Sequence, residues 1–195
     1  MVCNRIPSLD MKGDQILAFN RLCALRDAGH QIFLIYYSTN DAKENIAYKL
    51  IQSMDVAIVK VPKSIFSVMY NFSIALLKKQ LPFQCAIYSS RAFKERVKKI
   101  INDEKVDAIH CITVRVMENI PSNNKKLWID FVDSLAFNFY SRKKETTSKI
   151  LRLLFDKEHS RLLAYEKKFI KLADKSFIVS SKDRDYLGSK ELIVN

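Results

Sequence analysis

The sequence predicts an α/β fold in which helices cover both faces of an open parallel β-sheet. Short, continuous apolar runs alternate along the chain with longer segments whose apolar residues recur every three or four positions. The first kind of segment is typical of buried strands and the second of amphipathic helices. Strands that alternate with helices in this way form parallel sheets. The chain has 195 residues, of which 48% are hydrophobic and 28% charged, and this is enough to bury the core of one domain.

The first unit of the pattern is a strand, a loop, a helix and a second strand. An apolar run at residues 1–3 leads into a loop at residues 4–14. Apolar residues at helical spacing follow at residues 16–25, and a buried strand is predicted at residues 30–38. Ligands bind beyond the carboxyl ends of the strands in such sheets. We therefore expect the loop to form the first wall of a binding site.

Three residues of this unit have a predicted local role. Asp14 occupies the position expected for the N-cap of the helix, and Gly29 that of a left-handed C-terminal cap. The loop contains one glycine, Gly13, and so lacks the three-glycine dinucleotide fingerprint and the Gly-Lys-Ser/Thr phosphate loop. Gly13 either lets backbone N–H groups approach a phosphate or sugar, or serves a turn with positive φ. The loop by itself favours the turn.

The alternation continues to the end of the chain. Further strands are predicted at residues 55–61, 106–113, 126–133, 175–181 and 191–194. Further helices are predicted at residues 41–54, 63–80, 91–105, 148–173 and 183–187. Residues 81–90 begin with a proline-containing turn, and the polar, basic residues 141–147 are predicted to form a mobile loop.

The formal net charge of +12 indicates an anionic partner, because lysine and arginine total 33 against 21 acidic residues. A membrane surface, a nucleic acid or a phosphate-bearing substrate would fit, and lysines that only confer solubility are the alternative. No apolar run reaches the length of about 18 residues that indicates a membrane-spanning helix, and residues 1–6 lack the apolar core of a signal peptide. Four scattered cysteines and three distant histidines predict reduced core thiols and no metal site.

One predicted helix, at residues 63–80, is apolar around most of its circumference. A helix of this kind is either buried on several sides or lies against a membrane. Lysines flank it, and the next predicted helix is strongly basic. The predicted membrane-facing residues are Lys63, Phe66, Met69, Phe72, Lys78, Lys79, Lys98 and Lys99. Under this hypothesis the apolar side chains insert into the membrane and the lysines contact anionic head groups.

Polar residues collect where the predicted strands end, which is typical of a cleft on an open α/β sheet. The candidate cleft residues are Lys12, Gly13, Asp14, Arg115, Asp130, Asp133, Ser134 and Ser180, and the candidate catalytic residue is His110. A single histidine at a strand end is more often structural than catalytic. Asp183 and Asp185 have the spacing of the Asp-x-Asp metal motif of sugar transferases, but they open a predicted helix, where capping is the more common role.

Five local segments occur in an order that covers nearly the whole chain. They are IPSLDMKGDQ at residues 6–15, LPFQCAIYSS at 81–90, VDAIHCITVRVMENI at 106–120, KLWIDFVDSLAFNF at 126–139, and FDKEHSRLLAYEKKF at 155–169 followed by DKSFIVSSKDRDYL at 174–187. In this order they resemble the N-terminal domain of the GT-B glycosyltransferases. The resemblance is to the group-1 (family 4) enzymes that build bacterial surface polysaccharides.

The resemblance implies a Rossmann-like, acceptor-side domain at residues 1–190 and the start of an interdomain linker at residues 191–195. The domain that binds the nucleotide-sugar donor would follow the linker and is absent from this chain, so the chain alone would be inactive. The whole enzyme would be a retaining glycosyltransferase that moves a sugar from the donor to a glycan or lipid-linked acceptor. Neither a cofactor nor a metal is implied, since the nucleotide-sugar is a substrate.

The resemblance also implies roles for two residues. The backbone at Gly13 would face the donor phosphate or the transferred sugar across the cleft. His110 matches a histidine that some members place near the sugar, but here Cys111 and Ile112 follow it in place of a His-x-His run. The first predicted strand is also shorter than in the family.

A second hypothesis belongs to a different class. The chain could be a non-enzymatic basic module that binds an anionic membrane or nucleic acid. Nucleic acid is disfavoured because the sequence contains no helix-turn-helix, zinc-finger or RNP signal. The predicted location is the cytoplasm, with peripheral attachment to the inner face of the plasma membrane as a further option.

Overall fold

The computed structural model describes residues 1–63, 65–77, 81–122 and 125–194. Its strands are β1 Val2–Cys3, β2 Phe33–Ser38, β3 Ala57–Pro62, β4 Ala108–Ile112, β5 Lys126–Asp130, β6 Lys175–Ile178 and β7 Leu192–Val194. Within the described residues these form one sheet in the order β3-β2-β1-β4-β5-β6-β7, and every pair of neighbours is parallel. The order reverses between β1 and β4, which makes this the topological switch point of the sheet.

The connections between the strands are helical. The α-helices are α1 Gly13–Asp27, α2 Ala42–Gln52, α3 Ile65–Leu77, α4 Phe83–Ala86, α5 Arg91–Asp103, α6 Leu135–Glu145, α7 Lys149–Leu172 and α8 Ser181–Leu187. A 3-10 helix, Val114–Asn119, follows β4 directly. The predicted α/β class is confirmed: the fold is a Rossmann-like open parallel sheet flanked by helices.

The two faces of the sheet are covered by different helices, because successive strand residues point to opposite sides. On one face, strand residues such as Leu34 and Tyr36 share a buried cluster with Leu22 of α1 and Ile51 of α2. The opposite face has a larger core. It joins strand residues to α5, α7 and the 3-10 helix through Ile35, Cys111, Ile129, Phe93, Val116 and Leu162. The cysteines are free thiols, and Cys3, Cys85 and Cys111 are buried, as the sequence predicted.

Capping residues fix the ends of the helices. Gly29 has φ 80 and its N–H donates to the carbonyl of Arg26, so the predicted C-terminal cap of α1 is confirmed. The predicted N-cap is wrong: Lys12 occupies that position, and Asp14 lies within the first turn. Asp14 there complements the positive end of the helix dipole. Serine side chains accept the capping bond at the start of four later helices, namely Ser90, Ser134, Ser148 and Ser180.

Residues 141–147 are not a mobile loop, and this prediction is wrong. Residues 141–145 complete α6, which packs along α7 as a helical pair. The helix begins at Ser134, whose hydroxyl accepts the N–H of Phe137 at 3.1 Å. Phe139 contacts Phe155 of α7 with 5.8 Å between ring centroids. Tertiary packing therefore makes helical a segment whose polar composition predicts a loop.

Two buried glutamates of α7 hold the first turns of other helices. Glu158 accepts hydrogen bonds from the N–H groups of Phe83 and Gln84, at 3.0 and 2.9 Å, at the start of α4. Glu166 accepts from the N–H of Leu135 at 2.7 Å and from the Ser134 hydroxyl at 3.0 Å, at the start of α6. Burial raises the pKa of Glu166 to about 7. These carboxylates accept hydrogen bonds from N-terminal N–H groups that have no acceptor inside their own helix.

Candidate functional site

A cleft of about 490 Å³ lies at the carboxyl ends of the strands, next to the switch point of the sheet. We call it the strand-exit cleft. The segments that follow β1, β4, β5 and β6 all contribute to it. Its lining residues are Arg5, Gly13, Asp14, Arg115, Val132, Asp133, Val179, Ser180 and Asp183. This is the place where open α/β sheets bind ligands.

The fold brings together five of the residues that the sequence nominated for the cleft. Gly13 and Asp14 come from the start of α1, Arg115 from the 3-10 helix after β4, and Asp133 and Ser180 from the exits of β5 and β6. They are far apart in the sequence and meet because the parallel strands end at one edge of the sheet. Lys12 is exposed beside them as the N-cap of α1 and does not line the cleft.

Gly13 has no structural need to be glycine within the described residues. Its φ is not positive, so the prediction that it serves a left-handed turn is wrong. A Cβ built at Gly13 would meet no described atom within 4 Å. Lys12 makes no side-chain capping bond to a described residue, and the N–H of Gln15 donates to the Lys12 carbonyl at 2.8 Å, so the N–H groups of Gly13 and Asp14 are the ones free to bind a ligand. The glycine therefore keeps open the space in front of a helix N-terminus.

The cations of the cleft differ in their partners. The guanidinium of Arg5 lies 3.5 Å from the carboxylate of Asp14, so these two charges largely offset each other. The guanidinium of Arg115 donates to the side-chain oxygen of Gln84 at 3.4 Å, a neutral partner. Among the described residues no carboxylate forms an ion pair with Arg115. Arg115 is therefore the cation of this cleft that is available for an anionic or hydroxyl-rich ligand.

Two carboxylates lie on the other side of the cleft. Asp133 accepts a hydrogen bond from the side-chain amide of Asn138 at 2.6 Å. Burial, and secondarily the charge of Asp133, raises the pKa of Asp183. Ser180 is the N-cap of α8 and accepts from the N–H of Asp183, so Asp183 is not the capping residue that the sequence favoured. Asp133 and Asp183 can accept hydrogen bonds from ligand hydroxyls.

The backbone is strained where two strands enter the cleft. Thr113 follows β4 with φ 67, and Val132 follows β5 with φ 65. Positive φ is unusual for a β-branched residue. The N–H of Asp133 donates to the carbonyl of Phe131 at 2.8 Å, so Val132 is the centre of a three-residue γ-turn. Strain of this kind is concentrated at functional sites in proteins, and here it turns Asp133 into the cleft.

Two other predicted cleft residues do not line the cleft. Asp130 is fully buried, and its carboxylate lies 3.0 Å from the guanidinium nitrogen Nε of Arg21 in α1. Burial raises the pKa of Asp130, although Arg21 opposes this effect. Ser134 is also fully buried, because it caps α6 and donates to Glu166. Their predicted place in the cleft is wrong, since both side chains point into the protein.

His110 lies in the middle of β4 and not at the strand exit, so its predicted placement is wrong. Its ring packs against Trp128 and Phe177, with 6.2 Å to each ring centroid. It lines a second pocket, at the amino ends of the strands. This location gives no support to a catalytic role in the strand-exit cleft.

Four lining residues are not predicted from the sequence, namely Arg5, Val132, Val179 and Asp183. Arg5 lies in the loop that was expected to form the first wall, and its charge was the available signal. The sequence predicts a capping role for Asp183. Within the described residues, no group of three or more His, Cys, Asp or Glu side chains is placed to hold a metal ion.

The helix α3 has a largely exposed apolar face, which we call the α3 surface. Its exposed residues are Ile65, Phe66, Met69, Tyr70 and Phe72, with exposed fractions from 44% to 86%. The alternative that this helix is buried on several sides is therefore wrong. The helix contacts the body of the protein through its other face, where the Asn71 side chain donates to the carbonyl of Ser89 and Ala75 is buried.

The lysines predicted to accompany the α3 surface have different positions. The ammonium of Lys63 lies 4.0 Å from the ring centroid of Tyr88, and Lys98 and Lys99 are exposed on α5. Lys78 and Lys79 lie outside the described residues. None of the helices in the described part of the chain combines the length and apolar character needed to cross a membrane.

A second exposed apolar group occurs at the start of α7. Its members are Ile150, Leu151, Leu153 and Leu154. Further along α7, from Glu158 onward, the helix is close to α3: Arg161 donates to the carbonyl of Ala75 at 3.3 Å, and Phe83 contacts both helices. The ring of Phe83 lies 5.0 Å from that of Phe72 in α3, and its N–H donates to Glu158 of α7. This second apolar group is not predicted from the sequence.

Comparisons with known proteins identify no relative of this chain. Neither the protein-family models, nor the curated proteins, nor the solved structures contain a match to this chain.

Proposed function

We propose that this chain is the acceptor-side domain of a retaining, two-domain glycosyltransferase. The observation that carries the proposal is the strand-exit cleft, in which the open N-terminus of α1 at Gly13 faces Arg115, Asp133 and Ser180 at the switch point of a Rossmann-like sheet. The order of the sequence segments that resemble the GT-B enzymes supports the same conclusion. A second α/β domain would bind the nucleotide-sugar and close over this cleft.

The residues of the cleft fit the needs of sugar transfer. The free N–H groups at the start of α1 favour a negative charge, such as a donor phosphate. Arg115 would contribute a fixed positive charge close by, and Asp133 would accept hydrogen bonds from acceptor hydroxyl groups. Catalysis would depend on holding donor and acceptor in reactive geometry. The chain itself therefore has no turnover in this proposal.

The proposal is tested by NMR titration of the isotopically labelled chain with a panel of soluble acceptor sugars and nucleotide-sugars. We expect acceptor sugars to shift the backbone amide signals of Gly13 and Asp133, and Arg115→Ala to abolish these shifts. Arg96→Ala, on the exposed side of α5, is the matched control and should leave them unchanged. Sugar turnover by the chain alone would contradict the proposal, as would a panel in which no sugar perturbs the cleft.

We also propose that the α3 surface docks on an anionic membrane at the cytoplasmic face, where a lipid-linked acceptor would lie. The supporting observation is the exposure of Phe66, at 86%, and of Met69, at 65%, on a strongly basic chain. Burying one such side chain in lipid stabilises the docked state by about 2 kcal/mol. Each nearby lysine adds about 1 kcal/mol, and salt screens this contribution.

Vesicle co-sedimentation tests the membrane proposal. We expect the chain to bind phosphatidylglycerol vesicles at low salt and not phosphatidylcholine vesicles, and Phe66→Asp to weaken binding by about thirtyfold or more. Ile46→Asp is the matched control, because Ile46 is an equally apolar residue that is 70% exposed on α2. Absence of binding to anionic vesicles at low salt would contradict the proposal, as would equal losses in the two variants.

A further inference from the structure

Four aromatic side chains from three helices meet beside the strand-exit cleft, and we call them the aromatic platform. They are Phe137 and Tyr140 of α6, His159 of α7 and Tyr186 of α8. The ring centroids of Phe137 and Tyr186 lie 4.7 Å apart, those of Tyr140 and Tyr186 5.6 Å, and those of Tyr140 and His159 5.7 Å. All four side chains are partly exposed, so solvent reaches this aromatic surface.

Contacts between the helices hold the platform in place. The Nε2 atom of His159 lies 2.6 Å from the hydroxyl oxygen of Tyr186, which joins α7 to α8. Lys143 of α6 forms an ion pair with Asp156 of α7. The rings are therefore arranged before any ligand arrives, and a preformed surface loses little conformational freedom on binding.

Exposed lysines lie over two of the rings. The ammonium of Lys182 is 5.0 Å from the ring centroid of Phe137, and that of Lys144 is 4.4 Å from the ring centroid of Tyr140. Because both lysines are exposed, the ring faces that they cover are turned toward solvent. A cation–π contact is weak at an exposed site. A ligand can therefore replace each ammonium on its ring and still be contacted by it.

The charges around the platform favour an anion. Two nearby carboxylates already have basic partners: Asp156 pairs with Lys143, and Asp185 pairs with Arg184 at 3.0 Å. Within the described part of the chain, neither of the lysines over the rings forms an ion pair with a carboxylate. The net charge of +12 acts in the same direction.

The platform adjoins the strand-exit cleft. Asp133 and Asp183 line the cleft. Phe137 follows Asp133 by four residues, and its N–H donates to the hydroxyl of Ser134 at 3.1 Å. Tyr186 comes one turn after Asp183 in α8, and one turn of helix rises about 5.4 Å. A ligand that occupies the cleft can therefore extend onto the platform.

We propose that the aromatic platform binds a sugar ring that carries an anionic group. The apolar C–H face of the sugar packs on Phe137 and Tyr140, and Lys144 and Lys182 contact the anionic group. This inference rests on the proposed function, because it makes the acceptor an acidic saccharide. One unit of the acceptor lies in the strand-exit cleft, and an outer, acidic unit lies on the platform.

The test is an NMR titration of the labelled chain with four probes. Methyl glucuronide and glucose 6-phosphate combine a sugar ring with a carboxylate or a phosphate, methyl glucoside is a neutral ring, and gluconate is a carboxylate without a ring. We expect saturable shifts at the amides of Phe137, Lys182 and Tyr186 with an anionic ring sugar, and the tighter of the two identifies the anionic group. Methyl glucoside and gluconate should bind more weakly. Equal binding of either one would overturn the proposal, because the charge or the ring would then contribute nothing.

The same spectra separate this inference from the proposed function. Shifts at Gly13 and Asp133 without shifts on the platform would overturn the inference and leave the proposed sugar transfer in place. Shifts confined to the platform would support the inference and count against sugar binding in the cleft.

Variants assign the binding to named groups. Lys182→Glu should weaken binding of the anionic sugar about tenfold, because it removes a cation that contacts the anionic group. Phe137→Leu should weaken it about threefold or more, since it keeps an apolar side chain and removes the ring. Lys60→Glu is the matched control: the ammonium of Lys60 lies 3.7 Å from the ring centroid of Tyr48, a pair outside the platform.

Lys182 is exposed, so its variant keeps the test decisive if Phe137→Leu fails to fold. Unchanged binding in Lys182→Glu, or an equal loss in Lys60→Glu, would overturn the proposal.

Discussion

Gly13→Ala should stabilise the protein while it weakens ligand binding in the strand-exit cleft. Gly13 is the first residue of α1, does not have a positive φ, and has no described atom within 4 Å of the position of a new Cβ. Alanine restricts the unfolded chain and favours the helix. We therefore expect the free energy of unfolding to rise by about 0.5 kcal/mol.

Gly188→Ala is the matched control for the backbone. Gly188 has φ 64 and ends α8 in the left-handed conformation, and it too has open space around a new Cβ. The same substitution there should lower the free energy of unfolding by about 1 kcal/mol, because left-handed backbone is unfavourable for alanine. In a domain of this size, 1 kcal/mol corresponds to a change in Tm of about 3 °C. Urea and thermal denaturation measure whether the free energy of unfolding rises in Gly13→Ala and falls in Gly188→Ala.

The binding half of the prediction uses the acceptor-sugar titration. The methyl group of Gly13→Ala would occupy the space in front of the α1 N-terminus, so the sugar-induced shift at Asp133 should weaken in a variant that is more stable than the wild type. Destabilisation by Gly13→Ala would refute the reasoning, because it would show that the glycine serves the fold. Unchanged sugar binding would show that ligands do not approach this helix end.

Three further variants test the energetics around the cleft. Burial raises the pKa of Glu166 from 4.5 to about 7, so the free energy of unfolding of the wild type should fall as pH rises through this interval. Glu166→Gln should remove that loss. Urea denaturation in which the free energies of unfolding of both proteins change equally with pH would contradict this. Val132→Gly should change the free energy of unfolding by no more than about 1 kcal/mol, since it relieves a positive φ. Val97→Gly, at a buried position of α5, should lower the free energy of unfolding by about 3 kcal/mol. Equal losses for the two variants in chemical denaturation would argue against strain at Val132. Arg21→Met should lower the free energy of unfolding by about 3 kcal/mol at pH 7, because it leaves Asp130 buried without its partner. The loss should be smaller at pH 4, where Asp130 can protonate. A loss that is independent of pH would contradict this.

The fold was predictable because its signals are local and repeated. Apolar runs and helical spacing locate the strands and most of the helices, and their alternation determines the parallel sheet. The helix α6 was missed because its last turn, at residues 141–145, is polar and basic. What makes it helical is a packed neighbour and the cap supplied by Glu166, and these contacts span about thirty residues of sequence.

The candidate site was predictable only in part. Gly13, Arg115 and Asp133 follow strands, and any parallel sheet brings such residues to one edge. His110 and Asp130 lie within strands, where successive side chains point to opposite faces, so their direction depends on the register of the sheet. A shift of one residue in the expected strand end is enough to move such a side chain from a cleft into the core.

Strain and capping at the exit of β5 are connected. The γ-turn at Val132 is followed within two residues by Ser134, and the first turn of α6 is held there by the buried Glu166. The strained turn persists because the surrounding structure fixes both of its ends: β5 pairs with β4 and β6 on one side, and the capped helix lies on the other. Asp133 lies between these two fixed elements, so its carboxylate is directed into the cleft with little freedom to move. A buried carboxylate outside the cleft thus helps to position a carboxylate inside it, which is the preorganisation that a site for hydroxyl groups requires.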